Sequence, residues 1–133
     1  MEILITSKTH KVNAACVGGM IMQNNQLVRL LNPGNWDQYA NTDFDVGDIW
    51  DIDFRAREDV TPPHIEDVII RSKSYLREID NISEYLLRSG VTIFRGGPSQ
   101  IFNGKLNWTL SGSGYIWDKG NLPCNSVGFW ISD

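Results

Sequence analysis

Residues 16–34 read CVGGMIMQNNQLVRLLNPG, and this stretch decides the fold class. Two apolar arms, residues 16–22 and 27–31, flank a polar turn around Asn24-Asn25. Asparagine tolerates the left-handed backbone of a tight turn, so the stretch reads as a β-hairpin. Gly18 and Gly19 inside the first arm point to a bulge or a close backbone approach. Asn32-Pro33-Gly34-Asn35 stops the second arm, because proline has no ladder donor and glycine turns the chain.

The hairpin sits among further short strands. Ile3, Leu4 and Ile5 suggest a buried first strand, and residues 35–47 read as a long loop. In DIWDIDF, residues 48–54, Trp50, Ile52 and Phe54 fall on one face, while Asp51, Asp53 and Arg55 share the other with Ile49. DVTPPH, residues 59–64, breaks that strand, and IEDVIIRSKSYL, residues 65–76, starts another. Asn81, Glu84 and Gly90 have the spacing of a capped helix of about two turns, expected to plug one end of a sheet. VTIF, KLNWTL, YIW and the closing SVGFWIS are strands separated by Gly, Pro, Asn and Ser. The expected fold is all-β with one short helix, a small OB-like β-barrel, with the start of a second OB-like unit as an extension. Residues 1–133 are expected to form a single compact OB-like domain; the alternative divides them into a first unit, 1–90, and a partial second, 91–133.

Composition narrows the class. The 133 residues are 41% hydrophobic and 21% charged, which suits one folded domain rather than a disordered chain. The net charge of −4 speaks against a globally basic polyanion binder. Its distribution is uneven: residues 37–67 carry ten Asp and Glu against Arg55 and Arg57. No run approaches the ~20 apolar residues that span a bilayer, and no secretory signal is visible, so no membrane partner is expected. Cys16 and Cys124 form no CxxC pair, which favours a reduced, cytoplasmic chain and leaves one disulfide between them open.

Several short motifs carry donors suited to anions. TSKTHK, residues 6–11, offers Ser7, Lys8, Thr9 and Lys11 to phosphate or sugar oxygens, or is a solvated turn. Arg29, alone among apolar neighbours, either clamps a phosphate or pairs with a carboxylate. Arg71, Lys73 and Tyr75 alternate as a basic row ending in an aromatic, and Trp36 and Tyr39 follow Arg29. Such rows track a nucleic-acid backbone and stack bases, or else cover barrel ends. His64 and Glu66 in PPHIED would share a strand face as an acid–base pair, or serve as structural hydrogen bonders.

Nothing resembles a complete catalytic set: there is no GxSxG, P-loop or GxGxxG, and no zinc-ligand spacing. The acidic run from Asp43 fails as a calcium loop, with Asp48 and Phe54 at the positions that need Gly and Glu. No metal and no cofactor is therefore expected, and an enzyme is the less supported reading.

Taken together, ITSKTHK, CVGG, VRLLNPG, GDIWDI, PPHIED and SVGFW resemble the dual OB-containing domain family of bacterial proteins, particularly its N-terminal part. The resemblance runs from residue 3 to 132. It implies two OB-like units and recognition of nucleic acid or a nucleotide, in proteins of conflict and defence systems. Its motif residues fall on Ser7, Lys8, Thr9, Lys11, Arg29, Asn32, His64, Glu66 and Asp67. The function expected is thus a module binding single-stranded nucleic acid or a nucleotide, with Trp36 and Tyr75 stacking and affinity falling steeply with salt. The alternative is a protein-interaction or regulatory domain that docks a partner through the acidic segment 37–67.

Overall fold

The computed structural model describes residues 1–116, 122–123 and 126–132. The chain divides into two compact units, one of Met1–Val60 with Glu66–Val91, the other of Thr61–Ile65 with Thr92–Asp133.

The first unit is a barrel. Its strands are β1 (Glu2–His10), β2 (Ala14–Ile21), β3 (Leu27–Leu31), the two-residue β4 (Gln38–Tyr39), β5 (Asp48–Ala56) and β6 (Asp67–Glu78). The hairpin read from CVGGMIM and LVRLL is β2–β3, with Asn25 at φ 60 in its turn. β1 pairs antiparallel with both β2 and β5, β5 antiparallel with β6, and β6 parallel with β3. The circuit β1–β2–β3–β6–β5 therefore closes on itself as a five-stranded barrel, and β4 extends the edge of β2. Five strands in this order, with one parallel contact, are consistent with an OB-like fold.

Alternation fills the interior as the sequence suggests. Ile3 and Ile5, Val17, Val28 and Leu30, Trp50 and Ile52, and Val68 and Ile70 form one buried cluster, against which Phe54 packs. The plug is different from the one expected. Helix α1 (Ile82–Ser89) has its Asn81 cap, with the Glu84 N–H donating to Asn81 Oδ1 at 3.0 Å, and its left-handed Gly90. Yet none of its residues is buried. Phe44, from the loop after β4, is 0% exposed and stacks edge-on to Trp50 with ring centroids 5.0 Å apart. Phe44 is fully enclosed against the barrel residue Trp50, whereas every residue of the helix keeps part of its surface exposed, so the loop closes the barrel and the helix does not.

Two bulges matter for function. β1 slips register between Ile5 and Ser7, and β6 carries an extra residue, Arg71, between Ile70 and Ser72. Because side chains alternate with period two, each slip exchanges inward and outward positions beyond it.

The second unit contains two short strand pairs among the described residues. β7 (Ile93–Arg95) runs parallel to β10 (Phe129–Ile131), and β8 (Leu106–Trp108) antiparallel to β9 (Gly114–Ile116). A 3-10 segment, Pro98–Gly104, brings Phe102 beside Phe94. The SVGFWIS strand thus finds its partner in β7, and Trp130 Nε1 donates to the Gly96 carbonyl at 3.0 Å. Cys124 lies outside the described residues, and with it the question of a disulfide to Cys16.

Candidate functional site

The outer face of β1, β2 and β3 gathers four of the polar residues singled out in the sequence, Ser7, Thr9, Lys11 and Arg29. The slip after Ile5 turns Ser7 and Thr9 outward, opposite Gly18 and Cys16 of β2. Gly18 in turn lies opposite Arg29 on β3, and Arg29 opposite Asp67 on β6. Directly paired residues share a face, so Ser7, Gly18, Arg29 and Asp67 form one row across four strands. A Cβ on Gly18 would lie 2.4 Å from Ser7 Oγ, so glycine here leaves room for the Ser7 hydroxyl in its present position. Lys11, just past β1, donates its backbone N–H to Ala14 O at 2.8 Å and extends the same rim. The face is open at this end and closed at the other, where Leu4 and Met20 are fully buried.

Arg29 is anchored as a charge pair. Its Nε donates to Asp67 Oδ1 at 2.7 Å and its Nη2 to Asp67 Oδ2 at 2.6 Å, a bidentate fork. Arg57 Nη1 reaches Asp67 Oδ2 at 2.8 Å. The Asp67 side chain is 0% exposed. Burial pushes its carboxyl upward, but the hydrogen bonds and charges of Arg29 and then Arg57 outweigh that and hold it below the usual carboxylate range. The same fork raises the Arg29 guanidinium against its own desolvation. Sequence reasoning did not single out Arg57; the outward arginines Arg55 and Arg57 facing the start of β6 were the available signal.

Beside this row stands an organised loop. Asn32 is buried, and its Oδ1 accepts the N–H groups of Gly34 at 2.8 Å and Trp36 at 3.4 Å, while its Nδ2 donates to Asp37 O at 2.9 Å. Gln38 Nε2 donates to the Leu30 carbonyl at 2.9 Å, and Tyr39 pairs with Ala14 of β2. Asn32 is thus the pin of the loop. The side chains that the loop presents are Trp36, 74% exposed, and Tyr39, 71% exposed.

The remaining sequence candidates lie elsewhere. Lys8 sits opposite Val17, on the inward side of β1, and its Nζ reaches Thr42 O at 3.4 Å and Asp45 Oδ1 at 3.1 Å. The expected row Arg71–Lys73–Tyr75 is broken by the bulge at Arg71. Arg71 pairs with exposed Asp53 at 3.7 Å, whereas Lys73 and Tyr75 face the barrel side, opposite Ile52 and Trp50. Lys73 Nζ lies 4.2 Å from the Phe44 ring centroid and 4.8 Å from that of Trp50, and Tyr75 stacks edge-on to Trp50. These two residues cover a barrel end. His64 is exposed within the 61–65 segment of the second unit, and Glu66 is buried in the first. β6 begins only at Asp67, so strand alternation does not place His64 and Glu66 on a shared face.

The electrostatics differ from a phosphate-binding groove of free cations. Lys8 pairs with Asp45, Lys11 with Asp37 at 2.6 Å, Arg29 with Asp67, Arg71 with Asp53, and Lys73 with Asp43. Every acid in that series comes from the segment 37–67, so the acidic middle of the chain supplies counter-ions to its basic flanks. The Asp37 hydrogen bond and charge raise the Lys11 ammonium, and the Lys73 hydrogen bond lowers the Asp43 carboxyl. Among the described residues no three His, Cys, Asp or Glu side chains are grouped to hold a metal ion, and no helix is long and apolar enough to cross a membrane.

No curated protein and no solved structure matches the chain at a significant level. A family model does: that of the dual OB-containing domain, over residues 1–133. With the closed five-stranded barrel, the fold and the family agree, and the chain belongs to the dual OB-containing domain family.

Proposed function

We propose that the barrel is a binding module for single-stranded nucleic acid or a nucleotide, received on the outer β1–β2–β3 face with Trp36 and Tyr39 as the stacking surface. OB folds receive oligonucleotides and oligosaccharides on the face of strands 2 and 3, the strands that carry Gly18 and Arg29 of the polar row, and the aromatic loop follows the third strand. The observation that carries the reading is that a buried side chain, Asn32, fixes a loop whose tryptophan stands 74% exposed. A loop whose backbone is already held loses less entropy when its aromatic stacks on a base than one that has to be ordered on binding.

The charge pairing sets the energetics. A phosphate reaching Lys11 has to displace Asp37, so less net counterion release accompanies binding than free lysines would give. Stacking then supplies the larger share of affinity, and the salt dependence is shallow rather than steep. The family likeness alone extends the proposal to a role in bacterial conflict or defence systems. Fluorescence anisotropy of a labelled oligodeoxythymidine tests the reading. Binding that is lost in Trp36→Ala and kept in Tyr75→Ala supports it; binding unaffected by Trp36→Ala removes its basis.

A further inference from the structure

The Arg29–Asp67–Arg57 cluster has features that an ordinary structural ion pair does not need. One carboxylate is shared by two guanidiniums, so the trio carries one net positive charge. Asp67 is fully buried, but the Arg29 and Arg57 side chains keep 20% and 38% of their exposure. Arg29 uses Nε and Nη2 on Asp67, and Arg57 uses Nη1. Each guanidinium has five N–H donors; Asp67 takes two from Arg29 and one from Arg57, and the Cys16 side chain takes a further one from Arg29. A guanidinium plane held by a fork at one edge offers its remaining donors in a fixed direction, which suits an oxyanion with several equivalent oxygens. Ser7, whose hydroxyl can donate, stands on the same cross-strand row, separated from Arg29 only by the side-chain-free Gly18.

We propose that Arg29 and Arg57, oriented by Asp67, form a phosphate subsite on the outer face of the barrel. The inference rests on the nucleic-acid reading above and names the group its positive end receives. Asp67 acts as the positioning residue, and Arg29 and Arg57 touch the phosphate. Lys11 is the weaker candidate for this task because Asp37 alone balances its charge. The phosphate can belong to a nucleotide end or to an oligonucleotide backbone, which differ in source but not in oxygen chemistry.

Calorimetric or NMR titration of the full chain with thymidine, thymidine 5′-monophosphate and a 5′-hydroxyl oligodeoxythymidine separates the cases. The phosphate-bearing probe is expected to bind about tenfold more tightly than thymidine, as one charge-assisted clamp provides. A gain for the monophosphate identifies a terminal phosphate; a gain confined to the oligomer identifies a backbone phosphate, and there Arg57→Gln lowers the salt slope by about one. Arg57→Gln is expected to abolish the gain and leave thymidine affinity unchanged, and Arg57→Lys to restore part of it. Arg57 is partly exposed and lies past the end of β5, so both variants retain the core. If the gain persists in full in Arg57→Gln, the subsite is wrong while the nucleic-acid reading stands. If wild-type protein binds none of the three probes, both fall.

Discussion

Asp67 accepts two hydrogen bonds from Arg29, at 2.7 and 2.6 Å, across the parallel contact between β6 and β3. This pair joins the strands whose pairing closes the barrel. Removing one partner of a buried pair leaves the other uncompensated, so Asp67→Ala is expected to cost about 3–5 kcal/mol in urea unfolding. Its pH dependence has a definite sign. The folded-state carboxyl lies below its ordinary value, so the pair stabilises fully above about pH 4 and loses that stabilisation as pH falls through the depressed value. Asp43, lowered by Lys73, contributes in the same direction. Asp67→Asn should therefore flatten, without abolishing, the acid limb of the stability profile; an unchanged limb contradicts the assignment.

Phe44 closes the barrel in place of a helix. Phe44→Ala is expected to cost about 3–5 kcal/mol, as for other buried aromatic truncations. Leu87→Ala on the two-turn helix α1, where Leu87 is 50% exposed, should stay within about 0.5 kcal/mol. Thermal or denaturant unfolding of the two variants compares them directly, and equal losses would return the plugging role to the helix.

Gly18 and Gly19 are adjacent but constrained differently. A Cβ on Gly19 would lie 2.6 Å from Ile3 Cγ2 and 3.1 Å from the Leu4 carbonyl, both fixed in the core. A Cβ on Gly18 meets only the rotatable hydroxyl of Ser7. Gly19→Ala is thus expected to destabilise by about 1–3 kcal/mol, typical of overpacking, and Gly18→Ala by less. Ser7→Ala should relieve the Gly18→Ala cost, a coupling that a double-mutant cycle reads out.

The barrel was legible because its signals are local. The alternation in DIWDIDF, the turn in NPGN and the Asn81–Gly90 caps each act within a few residues, and each appears where expected. The site was legible only in part. Arg29, Ser7, Thr9 and Lys11 come to one face, but a single extra residue, Arg71, sends Lys73 and Tyr75 to the barrel side. No residue type marks that bulge in advance. Nor does the sequence show which acid meets which base, since Asp37, Asp43, Asp45, Asp53 and Asp67 are equivalent until the strands are paired.

Trp36 and Tyr39 make no contribution to the core, so Trp36→Ala and Tyr39→Ala should leave stability within about 0.5 kcal/mol of wild type. Each should nonetheless weaken oligonucleotide binding by about 1–3 kcal/mol, the usual value of one base stacked on an aromatic. Anisotropy titrations paired with melting curves check both halves of this expectation. A loss of stability equal to the loss of binding would show the aromatics to be structural.

The indole N–H signals of the protein test the location of the ligand most directly. Trp36 is open to solvent, and Trp50 is buried with its Nε1 unpartnered among the described residues, so the two serve as probe and internal reference. On titration with a short oligodeoxythymidine, the Trp36 signal is expected to shift and saturate while that of Trp50 stays in place. A Trp36 signal that remains fixed up to about 100 μM oligonucleotide, the weak end of non-specific binding, would contradict the account.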